Sequence, residues 1–333
     1  MNDRSTAVIS RIVDTAIEAP IVTSFTRIGY AIRSRVEHWT PLAEYDLTGR
    51  VMLITGATSG LGLAAAEILA GCGAELILLG RDATKTERVR HEIEQRTGNT
   101  KLTTAVADMG DLAAVRRVAA QILVEHPALH VIMHNAGALS DKRTVNADGT
   151  EMTIASQVVG PFLLTTLLLP ALQAAGSARV ITMSSGGMYA TGLTISRLEM
   201  GDDYKGSEQY ARAKRAQVTL NEMWADKFTN REVVFHALHP GWADTPGVES
   251  SLPKFHKIVG PLLRTPNQGA DTAVWLAADD GLPLASTGKF WLDRRQRSIH
   301  KLPSTRKTDT PQRRAELWQW CLDRSGLTKS AST

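Results

Sequence analysis

The chain has 333 residues, 43% of them hydrophobic and 22% charged, a balance that suits a folded soluble domain with a substantial core. The formal net charge of +4 is diffuse apart from the basic stretch DRRQRSIHKLPSTRK at 293 to 307, which reads as a solvated tail, so nucleic acid is not an expected partner. Cys72 and Cys321 are the only cysteines, far apart and in no metal-ligand spacing; no structural disulfide is expected and no metal is inferred.

Residues 1–45 form an N-terminal extension. Asp3, Arg4, Arg11, Asp14 and Glu18 interrupt the uncharged core that a signal peptide needs, so secretion is not expected. Apolar side chains still recur at helical spacing: Ile9, Ile12, Val13, Ala16 and Ile17, then, after Pro20, Ile21, Phe25, Ile28, Ile32, Val36 and Trp39. Arg27, Arg33 and Arg35 lie among them. That pattern suits a helix at a lipid interface, and equally a helix packed on the main domain or on another subunit.

From about residue 46 to 300, short β-branched runs alternate with longer amphipathic ones. Strands are predicted at VMLIT (51–55), ELILLG (75–80), KLTTAVA (101–107), HVIMHN (130–135), RVITMS (179–184), EVVFHAL (232–238) and GKFWL (288–292). Helices are predicted at about 60–72, 84–97, 111–126, 151–176, 208–229 and 267–278. Apolar strands separated by helices must be covered on both faces, which indicates a single α/β domain with a doubly wound parallel sheet. Residues 301–333 are read as a tail with one short helix, PQRRAELWQWCLDRSG, capped by Thr310, with Leu317, Trp318 and Cys321 on its apolar face.

Three short stretches carry chemistry. Directly after the first strand, TGATSGLG brings Gly56, Gly60 and Gly62 into the start of a helix, an arrangement that lets backbone N–H groups and the helix dipole face a pyrophosphate. Simple strand-to-helix packing is the alternative. At the end of the second strand, Gly80 is followed by Arg81 where a site for NAD would place an acid; a guanidinium suits a 2′-phosphate and favours NADP, with an Arg81–Asp82 surface pair as the alternative. Farther on, QYARAK sets Tyr210 and Lys214 one helical turn apart. A neighbouring ammonium favours the phenolate and would bring a poor acid closer to use at neutral pH, while a solvated helix face is the bland alternative.

In order, the glycine turn, HNAG at 134–137, MSSGG at 183–187, Tyr210 with Lys214, and HPGWADT at 239–245 resemble the short-chain dehydrogenase/reductase superfamily over roughly residues 48–300. RVITMSSGGM, HPGWADTPGV and QGADTAVWLA are most similar to its retinol-dehydrogenase-like branch. The resemblance implies a Rossmann-type domain with a seven-stranded parallel sheet, order 3-2-1-4-5-6-7, and helices on both faces. It implies an NADP(H)-dependent oxidoreductase, with NAD(H) the lesser choice, acting on a lipophilic alcohol or carbonyl compound.

By the same resemblance Tyr210 is the proton donor or acceptor, Lys214 lowers its pKa and holds the nicotinamide ribose, and Ser185, rather than Ser184, donates to the substrate oxygen. The implied cofactor set takes in Gly56, Thr58, Ser59, Gly60, Leu61 and Gly62 in the turn, Arg81, Asp108 and Met109, then Asn135, Ala136 and Gly137. Tyr210 and Lys214 belong to it, with Pro240, Gly241 and Thr245 of the loop that holds the nicotinamide amide and phosphate. Asp108 also reads as a helix-capping residue beside Asp111. His236 and His239 read as ordinary polar residues. Where the family carries Asn in its fourth helix, SQVVG places Gln157, which would slow a water-borne proton relay. That departure supports a second reading, a nucleotide-binding regulatory protein with weak or no turnover. A cytoplasmic location, peripheral membrane contact through residues 7–39 and a homodimer complete the expectations.

Overall fold

The structure, a computed structural model, describes Asp14, residues 24–251 and residues 253–328. The expected apolar positions Ile9, Ile12, Val13, Ala16, Ile17 and Ile21 lie outside the described residues. Eight strands form one sheet in the order β3-β2-β1-β4-β5-β6-β7-β8. They are β1 (Val51–Thr55), β2 (Glu75–Gly80), β3 (Leu102–Val106), β4 (Val131–His134), β5 (Ala178–Met183), β6 (Val233–Leu238), β7 (Lys289–Leu292) and β8 (Arg295–Arg297). The first seven pair in parallel.

The expected seven-stranded parallel sheet is therefore one strand short. β8 pairs antiparallel with β7, matching Phe290 with Arg297 and Leu292 with Arg295. Its sequence, RQR, has no apolar alternation, and the turn before it is Asp293–Arg294, with φ of 53° and 55°, where glycine or asparagine is the usual signal. The same residues overturn the reading of 293–307 as a solvated tail. Asp293 is fully buried between Arg33 and Arg264, and Arg294 is buried against Asp271, at 2.8 and 2.9 Å.

The helices are α1 (Arg27–Val36), α2 (Gly60–Gly71), α3 (Ala83–Thr97), α4 (Leu112–Glu125), α5 (Met152–Ala174), α6 (Gly206–Lys227), α7 (Pro246–Ser251), α8 (Pro253–Val259), α9 (Pro266–Ala278), α10 (Pro303–Thr308) and α11 (Pro311–Ser325). Alternate residues of each strand enter two apolar cores, one on each face of the sheet. Leu53, Ile77 and Leu79 face α4, α5, α6 and α11. Met52, Ile54, Leu76 and Leu78 face α2, α3 and α9. Leu317 and Cys321 of α11 are fully buried in the first core. α5 is long and apolar enough to cross a membrane, yet Leu163, Leu164, Leu168 and Leu172 are buried in that same core.

Side-chain caps fix several helix starts: Asp82 accepts from Lys85 N for α3, Asp111 from Ala114 N for α4, and Thr310 from Arg313 N for α11. Thr265 and Gln268 form a reciprocal capping box at α9. In α1, Arg33 points inward, donating to Asp14 at 2.8 Å and Asp293 at 2.6 Å. Packing on the main domain, rather than a lipid-facing arginine, is what this helix shows at that position.

Candidate active site

Because β1, β4, β5 and β6 run parallel, the turns that follow them open on one edge of the sheet, where ligands of such sheets collect. After β1, Gly56 takes φ +68°, and a Cβ there would stand 2.9 Å from Ala136 Cα. At Gly62 a Cβ would meet Gly56 O at 2.3 Å and Asn135 Nδ2 at 2.4 Å. Asn135 braces this turn: its Nδ2 donates to Thr55 O and Gly56 O at 3.1 Å, while Thr55 Oγ1 accepts from Asn135 N and Ala136 N. Asn135 and Ala136 thus shape the glycine turn from the β4 side.

Ser59 stands at the N-cap of α2, but its side chain makes no capping bond. The first-turn N–H groups of that helix are left for an anion, the disposition a pyrophosphate requires. Leu61 packs on the backbone of Gly269, and Thr58 lies against Gly80. Thr245 faces Gly60: a Cβ on that glycine would be 3.4 Å from Thr245 Cβ, which brings the β6 loop beside the glycine turn.

Arg81 is exposed and, among the described residues, makes no hydrogen bond or ion pair. Asp82, its suggested partner, instead caps α3 by accepting from Lys85 N at 2.8 Å. Asp108 accepts from Gly110 N at 2.8 Å and is exposed, while the capping of α4 falls to Asp111. Met109 is buried, with its carbonyl packed so closely on Gly160 that any side chain there would collide with it.

β5 and α6 bring the chemistry together. Ser184 is buried, and its hydroxyl donates to Lys214 O at 3.3 Å. Ser185 instead accepts from Gly187 N at 3.4 Å, and its hydroxyl lies near enough to the Tyr210 phenol to pull the phenol's pKa down. Lys214, 2% exposed, donates to Met183 O at 3.0 Å and holds its Nζ 5.1 Å from the centre of the Tyr210 ring. The amine thus lies over the ring. Burial pushes the phenol up to about 12, with the Ser185 contact pulling the other way, and burial holds the amine down at about 7. Burial is thus the larger influence on the phenol, and the Ser185 hydroxyl is the one that opposes it.

Gln157 occupies a π-helical stretch of α5, Ala155–Val159, and is fully buried. Its Nε2 donates to Ala138 O at 2.7 Å and its main-chain carbonyl accepts from Gln217 Nε2 at 2.6 Å. Its Oε1 has no partner among the described residues and lies 3.0 Å from where a Cβ on Gly137 would stand. Gly137 therefore makes room for the longer amide. The two histidines do separate work. His236 accepts from Trp291 Nε1 at 3.0 Å and its other nitrogen lies 2.9 Å from Pro283 O. His239 accepts from Gly241 N at 2.9 Å, and burial holds its imidazole neutral, at about 3. No group of three or more His, Cys, Asp or Glu side chains that could hold a metal occurs among the described residues.

Sequence reasoning missed Phe25 and Arg264, which reach the β6 loop from distant parts of the chain. Phe25 was visible only as one apolar position of a helical pattern, and Arg264 carries no motif.

A sheet of this order, with a glycine turn and a Ser–Tyr–Lys set at its edge, defines a nucleotide-binding oxidoreductase of Rossmann type. Residues 50–254 match the family profile described as short chain dehydrogenase, and the chain belongs to that family. It is 37% identical over 290 residues to human dehydrogenase/reductase SDR family member 12, covering 86% of this chain and 89% of that protein. Over 266 residues it is 30% identical to mouse retinol dehydrogenase 11, covering 78% and 83% of the two chains. Among solved structures, a short chain dehydrogenase of Shigella flexneri 2a complexed with NADP superposes with a TM-score of 0.61 at 27% identity, covering 76% of this chain and 100% of that one.

Proposed function

We propose that the protein is an NADP(H)-dependent oxidoreductase that interconverts a carbonyl and an alcohol on a lipophilic small molecule. The observation that carries this reading is the Lys214 amine held 5.1 Å from the centre of the Tyr210 ring, with Ser185 of the turn after β5 near the phenol. A bound nicotinamide supplies or accepts the hydride. Tyr210 holds the proton that the substrate oxygen gains or loses, and its high pKa keeps it protonated, ready to act as an acid in carbonyl reduction. Ser185 donates a hydrogen bond to the same oxygen, and Lys214 binds the ribose hydroxyls. The uncapped start of α2 takes the pyrophosphate, Arg81 the 2′-phosphate, and Pro240, Gly241 and Thr245 the nicotinamide amide.

The preference for NADP(H) is supported by Arg81, whose neighbour Asp82 is engaged elsewhere, and by the NADP complex of the Shigella relative. The lipophilic substrate is supported by the retinol dehydrogenase relatives. Gln157 favours a second reading, nucleotide binding with little turnover, because its Nε2 is fixed on Ala138 O where a shorter amide would leave space for water. Binding of NADPH and NADH, followed by hydride transfer over a panel of hydrophobic aldehydes, ketones and alcohols, separates the two. Turnover of one panel member with NADPH supports the enzyme; tight nucleotide binding with no turnover across the panel supports the second reading.

A further inference from the structure

We infer that the N-terminal segment is a working part of the active site, with Phe25 and Arg264 as positioning residues that together hold the loop 239–245 in place. The inference rests on the reading above, in which that loop binds the nicotinamide amide. The loop leaves the sheet after β6 and takes its backbone pairing from elsewhere. Trp242 N donates to Phe25 O at 2.7 Å, while Arg264 N and O pair with Trp242 O and Asp244 N at 2.8 Å. Phe25 is buried, its ring 4.4 Å from the His239 ring and 5.7 Å from that of Trp242. Its Cε2 stands 3.7 Å from where a Cβ on Gly186 would be, one residue beyond Ser185. One aromatic side chain of the extension thus touches both the turn after β5 and the loop after β6.

Arg264 completes the clamp. Its guanidinium donates to Phe25 O at 3.1 Å, Ser24 O at 3.1 Å and Pro240 O at 3.3 Å. Gly241, at φ +76°, is glycine for this reason: a Cβ there would fall 2.2 Å from Arg264 Nε. Asp293 anchors Arg264 at 2.5 and 2.9 Å and also accepts from Arg33 of α1, which binds Asp14 and Ser24. Arg33, Arg264 and Asp293 are each at most 1% exposed, so the link from extension to loop is shielded from solvent screening.

The test uses the full chain, with Phe25→Ala and the conservative Phe25→Leu. NADPH affinity is measured by titration, and amide hydrogen exchange is followed across residues 239–245 without nucleotide. Phe25→Ala is expected to raise the NADPH Kd about tenfold and to speed exchange at Trp242 and Asp244 by at least about tenfold, with β1–β5 unchanged; Phe25→Leu restores most of both. Unchanged Kd and exchange in Phe25→Ala overturn the inference, as does a loss of protection spread evenly over the sheet, which marks plain destabilisation. A wild-type protein that binds no NADPH removes the proposed function and this inference with it. A wild type that binds, beside an indifferent Phe25→Ala, removes the inference alone.

Discussion

Lys214→Met is expected to stabilise the protein below neutral pH while abolishing turnover. The amine is buried beneath Tyr210, and burial lowers its pKa from 10.5 to about 7. A lysine depressed in this way binds fewer protons in the folded than in the unfolded chain between those two values. It therefore costs stability in full below about pH 7 and nothing above about 10.5. At 1.36 kcal/mol per pH unit, the full cost is roughly 5 kcal/mol. Methionine matches the length of the stem but leaves Met183 O without its donor, which offsets about 1–3 kcal/mol. A net gain of roughly 2–4 kcal/mol remains at pH 6, enough to raise Tm by about 3–6 °C in a chain of this size. Thermal unfolding at pH 6 and at pH 10.5 is the assay, and the advantage should vanish or reverse at the higher pH. A lower Tm for the variant at pH 6 would refute the reasoning, since the buried amine would then be a net support of the fold.

The other expectations are simpler. Arg81→Ser should raise the KM for NADPH about tenfold and leave that for NADH nearly unchanged, as steady-state kinetics with the two cofactors would show. Asp293→Asn leaves Arg33 and Arg264 buried without their shared counter-charge and should cost about 3–5 kcal/mol in denaturant unfolding; a loss under about 1 kcal/mol would contradict the buried network. Burial resists ionisation of Asp14, but Arg297 and Arg33 prevail and hold its carboxyl at about 2. The stability it contributes is thus present above about pH 4 and lost as pH falls toward 2, and Asp14→Asn should flatten that part of the stability–pH profile.

What the sequence made legible was whatever repeats with a period. β1 and β2 fall where the β-branched runs place them, and the helices after them end within two residues of the amphipathic windows. The spaced motifs likewise come together in space: Lys214 stands over the Tyr210 ring, and Thr245 meets the glycine turn. Features held by single long-range contacts left no such trace. The two arginines of β8 find their partners in Asp14 and Glu37, far along the chain, so RQR looks like a solvated run. Phe25 and Arg264 are joined across a separation of 239 residues, and no local pattern encodes that contact. The pKa of Tyr210 also escaped the sequence, because one helical turn to Lys214 fixes proximity but not how strongly burial opposes ionisation of the phenol.

The central claim is that Tyr210 carries the proton of a hydride-transfer reaction. Its most direct test is kcat for Tyr210→Phe on a hydrophobic carbonyl compound that the wild type reduces with NADPH. The account predicts a fall of about 10²–10⁴-fold with NADPH binding retained; a kcat within about twofold of wild type would contradict it.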